Sequence, residues 1–330
     1  MPGDQPSDAV QVSDDDLLLT IRDTRCELAR GGRSVHTWAA PALTAGDLRF
    51  GERRMTLDEL RRSLPLGEGW SAKALADLGR ELATLLFDGD VPEVVRDALI
   101  VANGTRRMLL DVEGATAAIP WEYLRIREQP LVKSGLVLVR HHHDTPSPRP
   151  LDVGPIDKIA FVYANPERYL GKSLATFDGD EHRRAITDAL NDHQIGLSDF
   201  TGATKADLRT ALSQPKNQAF HFLGHGVAAT SSLPGALLVM GSKGRTADPV
   251  TAEELASWLQ QSKVRFVVLG ACHSGSDGAA EFGDVARQIV RVTGIPVVAM
   301  QMAVPQSFST AFVAALYRAL GKSWNLERAF

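Results

Sequence analysis

Two residues frame the chemistry this sequence could perform. Cys272 ends the apolar run FVVLGA and opens a glycine-rich stretch, CHSGSDG, while His225 closes a second apolar run, AFHFLGHG. A thiolate nucleophile needs an imidazole to generate it and N–H donors for the oxyanion of a tetrahedral intermediate. If both runs are strands of one parallel sheet, neighbouring strands lie ~4.8 Å apart, and their carboxyl-end loops bring imidazole and sulfur within reach. Gly226 then offers a backbone N–H with no side chain in the way, and the Cys272 N–H is the second oxyanion donor. The plain alternative is that Cys272 only fills a core, because cysteine is among the most frequently buried residue types.

Other patterns carry less. His221 and His225 are spaced i, i+4, which on a helix would suit zinc. On a strand the same spacing aims both side chains one way but ~13 Å apart. No metal is therefore expected, and His221 reads as a core histidine or a support for its neighbours. Further histidines stand at His273 and in the run His141 to His143. Two LGKS tetrapeptides, at Leu170 and Leu320, lack the upstream glycine of a phosphate loop and are set aside.

The elements that must hold the pair can be read from rhythm. After a proline-rich linker, TPSPRPLDVGP (145–155), apolar strands alternate with helices: KIAFVYANP, EHRRAITDAL, LRTALSQ, AFHFLGHG, ALLVMG, TAEELASWLQQ, VRFVVLG, EFGDVARQIVRVTG, IPVVAMQMAV and STAFVAALYRAL. That alternation predicts an α/β fold, a mostly parallel sheet flanked by helices on both faces. In TAEEL a threonine stands three residues before a glutamate, a capping box. Before the linker, 16–144 reads as an N-terminal α+β lobe. In it Leu17–Ile21 and Ser34–Trp38 form a hairpin across ARGG, Trp70–Leu86 is helical, and a second helix lies near Pro92–Ala102. MLLDVEG and LVLVR are strands on either side of IPWEYL. The area of Trp121 and Tyr123 predicts that this lobe packs on the domain that follows, 156–330. Residues 1–15, acidic and turn-rich, are expected to be a disordered tail. The last segment, WNLERAF, starts a helix that stops at once, so a further C-terminal region is expected.

Bulk composition narrows the classes. The chain has 330 residues, 44% hydrophobic and 23% charged, with a net charge of −4. Nothing in that balance suits nucleic acid, and no basic stripe interleaves with aromatics. Two cysteines do not make a disulfide framework, which points to a reducing, cytoplasmic location. No apolar run reaches the ~20 residues that span a bilayer, and the acidic N-terminus is unlike a signal peptide.

The ordered motifs IPWEYL, LVLVR, AFHFLGHG, TAEELASWL, VVLGACHSG, IPVVAMQ and AFVAALYRALGKS resemble the CHAT family of caspase-like (clan CD) cysteine peptidases, related to caspases, metacaspases and separases. The resemblance runs from about Ala76 to the end. It implies a caspase-like fold, a His225/Cys272 dyad, no cofactor, and a protein substrate. It also implies an activating partner or a C-terminal sensor or repeat domain, as in bacterial defence or cell-death systems, with 16–144 as a regulatory or pseudo-peptidase lobe. The substrate pocket would fall at Gly270, Met300, Gln301, Met302 and Asp277. Two departures bear on specificity. Metacaspases carry an acid where this chain has Gly270, and many CHAT members carry an Asp where it has Gln306. Asp277, Glu281 and Asp284 are the acids near Cys272, expected as a solvated loop. A catalytically idle scaffold of the same fold, and a redox or metal sensor built on Cys272, are the competing readings. The small, polar stretches Val227–Gly235 and Ser274–Asp284 are expected to order only on activation.

Overall fold

A computed structural model describes residues 16–41, 43, 47–50, 53–56, 59, 72–87, 90–99, 106–112, 116–117, 119–126, 128–141, 151–191, 193–227, 229, 235–242, 244–271, 283–300 and 306–329. These fall into two compact units, one within 16–141 and one within 151–329.

The first unit is a five-stranded sheet with helices. Its strands are β1 (Leu17–Arg22), β2 (Arg25–Arg30), β3 (Arg33–Ala39), β4 (Arg106–Val112) and β5 (Leu136–His141), in the order β3-β2-β1-β4-β5. The first three form an antiparallel meander, and β4 and β5 run parallel to β1 and to each other. This corrects the expected hairpin. The ARGG turn joins β2 to β3, and RCELAR is a strand in its own right, with Arg22 facing Arg25 at the first turn. Leu17, Leu19 and Ile21 alternate inward on β1. Helix α1 (Ala72–Phe87) buries Leu78, Leu82, Leu85 and Leu86, and α2 (Glu93–Leu99) buries Val95 and Leu99. Trp121 is fully buried in a short 3-10 turn, and its indole N–H donates to the Thr116 carbonyl at 3.0 Å. That bond satisfies its one polar atom.

The second unit carries the sheet that matters for function. Its parallel strands are β6 (Lys158–Tyr163), β7 (Gly196–Thr201), β8 (Asn217–Val227), β11 (Phe266–Ala271) and β12 (Val297–Ala299), in the order β7-β6-β8-β11-β12. Two antiparallel strands, β9 (Ala236–Gly241) and β10 (Gly244–Thr251), continue the sheet from the tip of β8. Both faces are covered. On one face Phe220 and Phe222 of β8 and Val267 and Leu269 of β11 pack with α4 (Lys205–Ser213), α5 (Ala252–Gln260) and α6 (Gly283–Thr293). On the other, Ala219 and Leu223 of β8 and Phe266 and Val268 of β11 pack with α3 (Gly179–Asn191), α7 (Gln306–Ser323) and α8 (Leu326–Ala329). Successive strand residues point to opposite faces, so burial on both faces makes these strands continuous apolar runs.

Sequence chemistry fixes the helix starts. Thr204 with Asp207, and Thr251 with Glu254, each form a reciprocal capping box. The end of the linker is tied down. The Val153 N–H donates to the Trp324 carbonyl at 2.8 Å, and the Leu326 N–H donates to the Leu151 carbonyl at 2.9 Å. Strand β12 is shorter than the ten-residue run suggested, three residues long, although the Met300 N–H still donates to the Leu269 carbonyl at 3.1 Å.

Candidate active site

Strand β8 is eleven residues long and serves two partners in turn. From Ala219 to Gly224 it pairs in parallel with β11, ending with Gly224 opposite Ala271. From His225 to Val227 it pairs antiparallel with β9, His225 opposite Leu238 and Gly226 opposite Leu237. His225 is therefore the first residue past the parallel ladder, at the carboxyl edge of the sheet. Cys272 lies outside the described residues, as do Asp277, Glu281, Gln301, Met302 and His273; in the chain, Cys272 directly follows Ala271. Gly224 is required where it stands, since a Cβ would come within 2.5 Å of the Phe222 ring and 2.9 Å of the Ala164 carbonyl.

His225 is 1% exposed, and among the described residues neither ring nitrogen has a hydrogen-bond partner. The nearby Ala175 carbonyl favours the charged ring electrostatically, but without the geometry of a hydrogen bond. Burial outweighs it and pulls the imidazole down to about 4, so the ring is neutral at pH 7. Its visible neighbour is Phe177, whose ring meets the imidazole edge to face at 5.2 Å between centroids.

His221, four residues earlier, lies in a different setting. It is fully buried, its Nδ1 stands 2.8 Å from the Tyr317 hydroxyl, and its Nε2 stands 3.3 Å from Nε2 of His182. The Nδ1 of His182 reaches the Thr310 hydroxyl at 3.5 Å, the outer limit of a hydrogen bond. A neutral imidazole carries one N–H, so this row of four groups has two self-consistent arrangements, in which the protons all point one way or all the other. Burial lowers both histidines, His182 to about 4 and His221 well below its ordinary value. Among the described residues no three His, Cys, Asp or Glu side chains cluster as metal ligands.

The remaining candidates separate. Gly270 sits in β11 opposite Leu223, and a Cβ there would touch the His221 Nε2 at 3.5 Å. A side chain at this position would face the buried histidine row. Met300 is half-buried just past the end of β12, the strand next to β11. Gln306 begins α7: its amide nitrogen donates to the Asp178 carbonyl at 2.9 Å and to Glu181 at 3.1 Å, and its amide oxygen accepts from the Asp178 N–H at 3.1 Å. Asp284 accepts from the Ala229 N–H at 3.1 Å, so the start of α6 is tied to the segment following β8. Sequence reasoning passed over Phe177, Tyr163, Asn165 and His182. The available signal was position, since Asn165 and Phe177 lie in the segment that leaves the carboxyl end of β6.

No described helix is long and apolar enough to cross a membrane. No curated protein matches the sequence. Among solved structures the chain is similar to the Arg-specific cysteine proteinase gingipain R (RGPB). Identity is 11%, coverage is 83% of this chain and 67% of that chain, and the TM-score is 0.38. The CHAT domain matches residues 76–330. With the greater part of its length matched in this way, the chain belongs to the CHAT domain family.

Proposed function

We propose that the chain is a cysteine endopeptidase in which His225 and Cys272 form the catalytic dyad and the substrate is a protein. The register of two strands carries this reading. Gly224 pairs with Ala271, so His225 and Cys272 are each the next residue in sequence after the last rung of one parallel ladder. At a strand spacing of ~4.8 Å, that level position in the chain supports a dyad between the imidazole and the thiol. The state of His225 supports it as well. A general base must enter the reaction neutral with a free lone pair, and among the described residues this ring has both nitrogens unpartnered.

The reaction is redox-neutral and draws on the chain's own groups. His225 takes the thiol proton, and the sulfur attacks the peptide carbonyl carbon. The oxyanion is held by the N–H groups of Gly226 and Cys272. The imidazolium returns the proton to the leaving amine, and water, activated by the same ring, hydrolyses the thioester. Gly270, Met300, Gln301, Met302 and Asp277 are the residues proposed for the substrate pocket. The 1% exposure of His225 supports a resting enzyme whose dyad must be uncovered, by an activating partner or a neighbouring domain within a bacterial defence system. A thiol nucleophile fits a reducing, cytoplasmic setting.

Two measurements test this. New N-termini are counted after purified protein is mixed with a lysate of its own source cells, which supplies the activating partner; they are expected with wild type and absent with Cys272→Ala and His225→Ala. Independently of activation, iodoacetamide alkylation of Cys272 at pH 6.5 is followed by peptide mass spectrometry, and His225→Ala is expected to slow it more than tenfold. Equal alkylation rates, or identical cleavages from the variants, would overturn the dyad.

A further inference from the structure

Among the described residues His225 has no hydrogen bond of good geometry to orient it, only the Ala175 backbone close by, yet a base must hold one orientation to act repeatedly. Packing can supply that restraint, and the structure offers a specific device. The Phe177 ring lies between two others, edge to face with Tyr163 at 5.6 Å and with His225 at 5.2 Å. Its backbone is anchored three ways. The Phe177 carbonyl accepts from the Tyr163 hydroxyl at 2.9 Å and from the Asn165 side-chain amide at 3.1 Å. The following residue, Asp178, is clamped through both its N–H and its carbonyl by the single side chain of Gln306. Tyr163 is itself held in place by Gly179, where a Cβ would come within 2.5 Å of its ring. Three separate elements, the end of β6 and the starts of α3 and α7, thus converge on one phenyl ring that meets the imidazole in a T-shaped contact.

We propose that Phe177 is a positioning residue for His225, holding the imidazole in one rotamer and excluding water from it, with Tyr163, Asn165 and Gln306 as its mount. This rests on the reading of His225 as the base of a dyad. The chemistry suits the task. An edge-to-face aromatic contact fixes ring orientation without occupying either nitrogen, so the lone pair stays available for a thiol proton. A hydrogen-bonding partner in the same place would engage a nitrogen the reaction needs. The mount also accounts for a glutamine at 306: its amide supplies the donor and the acceptor that a carboxylate could not supply together.

The experiment reads the ring directly. In full-length Cys272→Ala protein labelled with ¹⁵N-histidine, the His225 imidazole is titrated by NMR and assigned by its loss in His225→Gln. With Phe177 present, the ring is expected to stay neutral with one tautomer down to pH 5. Phe177→Leu, which keeps apolar bulk but loses the flat edge, is expected to raise the midpoint by at least one pH unit and mix the tautomers. Tyr163 lies within the mount, but burial raises its phenol, so its proton does not enter this range. In protein that keeps Cys272, Phe177→Leu is expected to slow alkylation of the thiol at least tenfold. Asn165→Ala, a milder loosening of the mount, should slow it about threefold, and Phe308→Leu, at an exposed aromatic of α7, should have no effect. A titration midpoint within 0.3 unit of the parent in both Phe177→Leu and Asn165→Ala overturns the positioning role. Alkylation indifferent to His225→Ala would instead overturn the dyad and leave the measured ring mobility to stand by itself.

Discussion

One strand carries two buried histidines four residues apart, and they are opposites. At His221 both nitrogens are engaged, by Tyr317 and His182, inside a core built from α3, α7 and β6. At His225, at the same strand's carboxyl tip, neither nitrogen is engaged by a described residue. Burying an imidazole without partners costs free energy that folding alone has no reason to spend. The partnered ring behaves as architecture, and the unpartnered ring marks a place held ready for something else. A protein tolerates such local cost at functional sites and offsets it elsewhere.

The contrast is broken or sharpened by substitution. The largest effect is expected at the tip. His225→Leu should lower kcat/KM on any cleaved substrate by ~10³ or more, because it removes the proposed base altogether. Thermal stability should hold or rise, because an unsatisfied polar ring is exchanged for an apolar one. Substantial loss of both would mean that His225 is structural after all. His221→Leu should do the reverse, destabilising by ~1–3 kcal/mol through the orphaned Tyr317 hydroxyl and His182 nitrogen.

The next effect is on pH. His182, His221 and His225 all have folded values depressed below the unfolded value of ~6.5 by burial. Above ~6.5 both states are neutral and their contribution is constant. Below it the unfolded chain binds protons that the native state refuses, so stability falls as pH drops from ~6.5 toward 4. Each histidine contributes a slope of up to ~1.4 kcal/mol per pH unit. Urea titrations at pH 7 and pH 5 should show this loss, and His221→Leu should reduce the slope by about one histidine's share. An unchanged slope in that variant would show that the ring takes up its proton as readily in the folded protein as in the unfolded chain.

Two smaller effects probe the partners. Tyr317→Phe removes the hydroxyl at 2.8 Å from the His221 Nδ1 and should cost ~1–2 kcal/mol, with cleavage changed less than about threefold. A much larger drop in cleavage would tie the buried row to catalysis. Thr310→Val, at the 3.5 Å end of the row, should cost under ~0.5 kcal/mol by urea denaturation; a cost above ~1 kcal/mol would mean that its long contact is a full hydrogen bond.

Much of this was legible in the sequence, and the reasons differ by region. The runs AFHFLGHG and VRFVVLG read as buried strands because both faces of that sheet are covered, leaving no polar alternation to confuse the pattern. The capping threonines read correctly because a cap is a contact between residues three apart. RCELAR was missed because its charged ends look like turn residues, although Cys26 and Leu28 point inward. The length of β12 was overestimated because an apolar run says nothing about where a ladder partner stops.

What the sequence determines by itself is local or covalent: periodicity, caps, and the position of His225 and Cys272 at the ends of two apolar runs. What only the tertiary structure decided is which groups meet. That Gly224 pairs with Ala271, that His221 finds His182 and Tyr317 while His225 meets the ring of Phe177, and that Gln306 clamps Asp178 across 128 positions of chain are results of packing. Short-range propensities cannot specify such contacts, because they depend on strand order and on how helices from distant parts of the chain settle against one sheet.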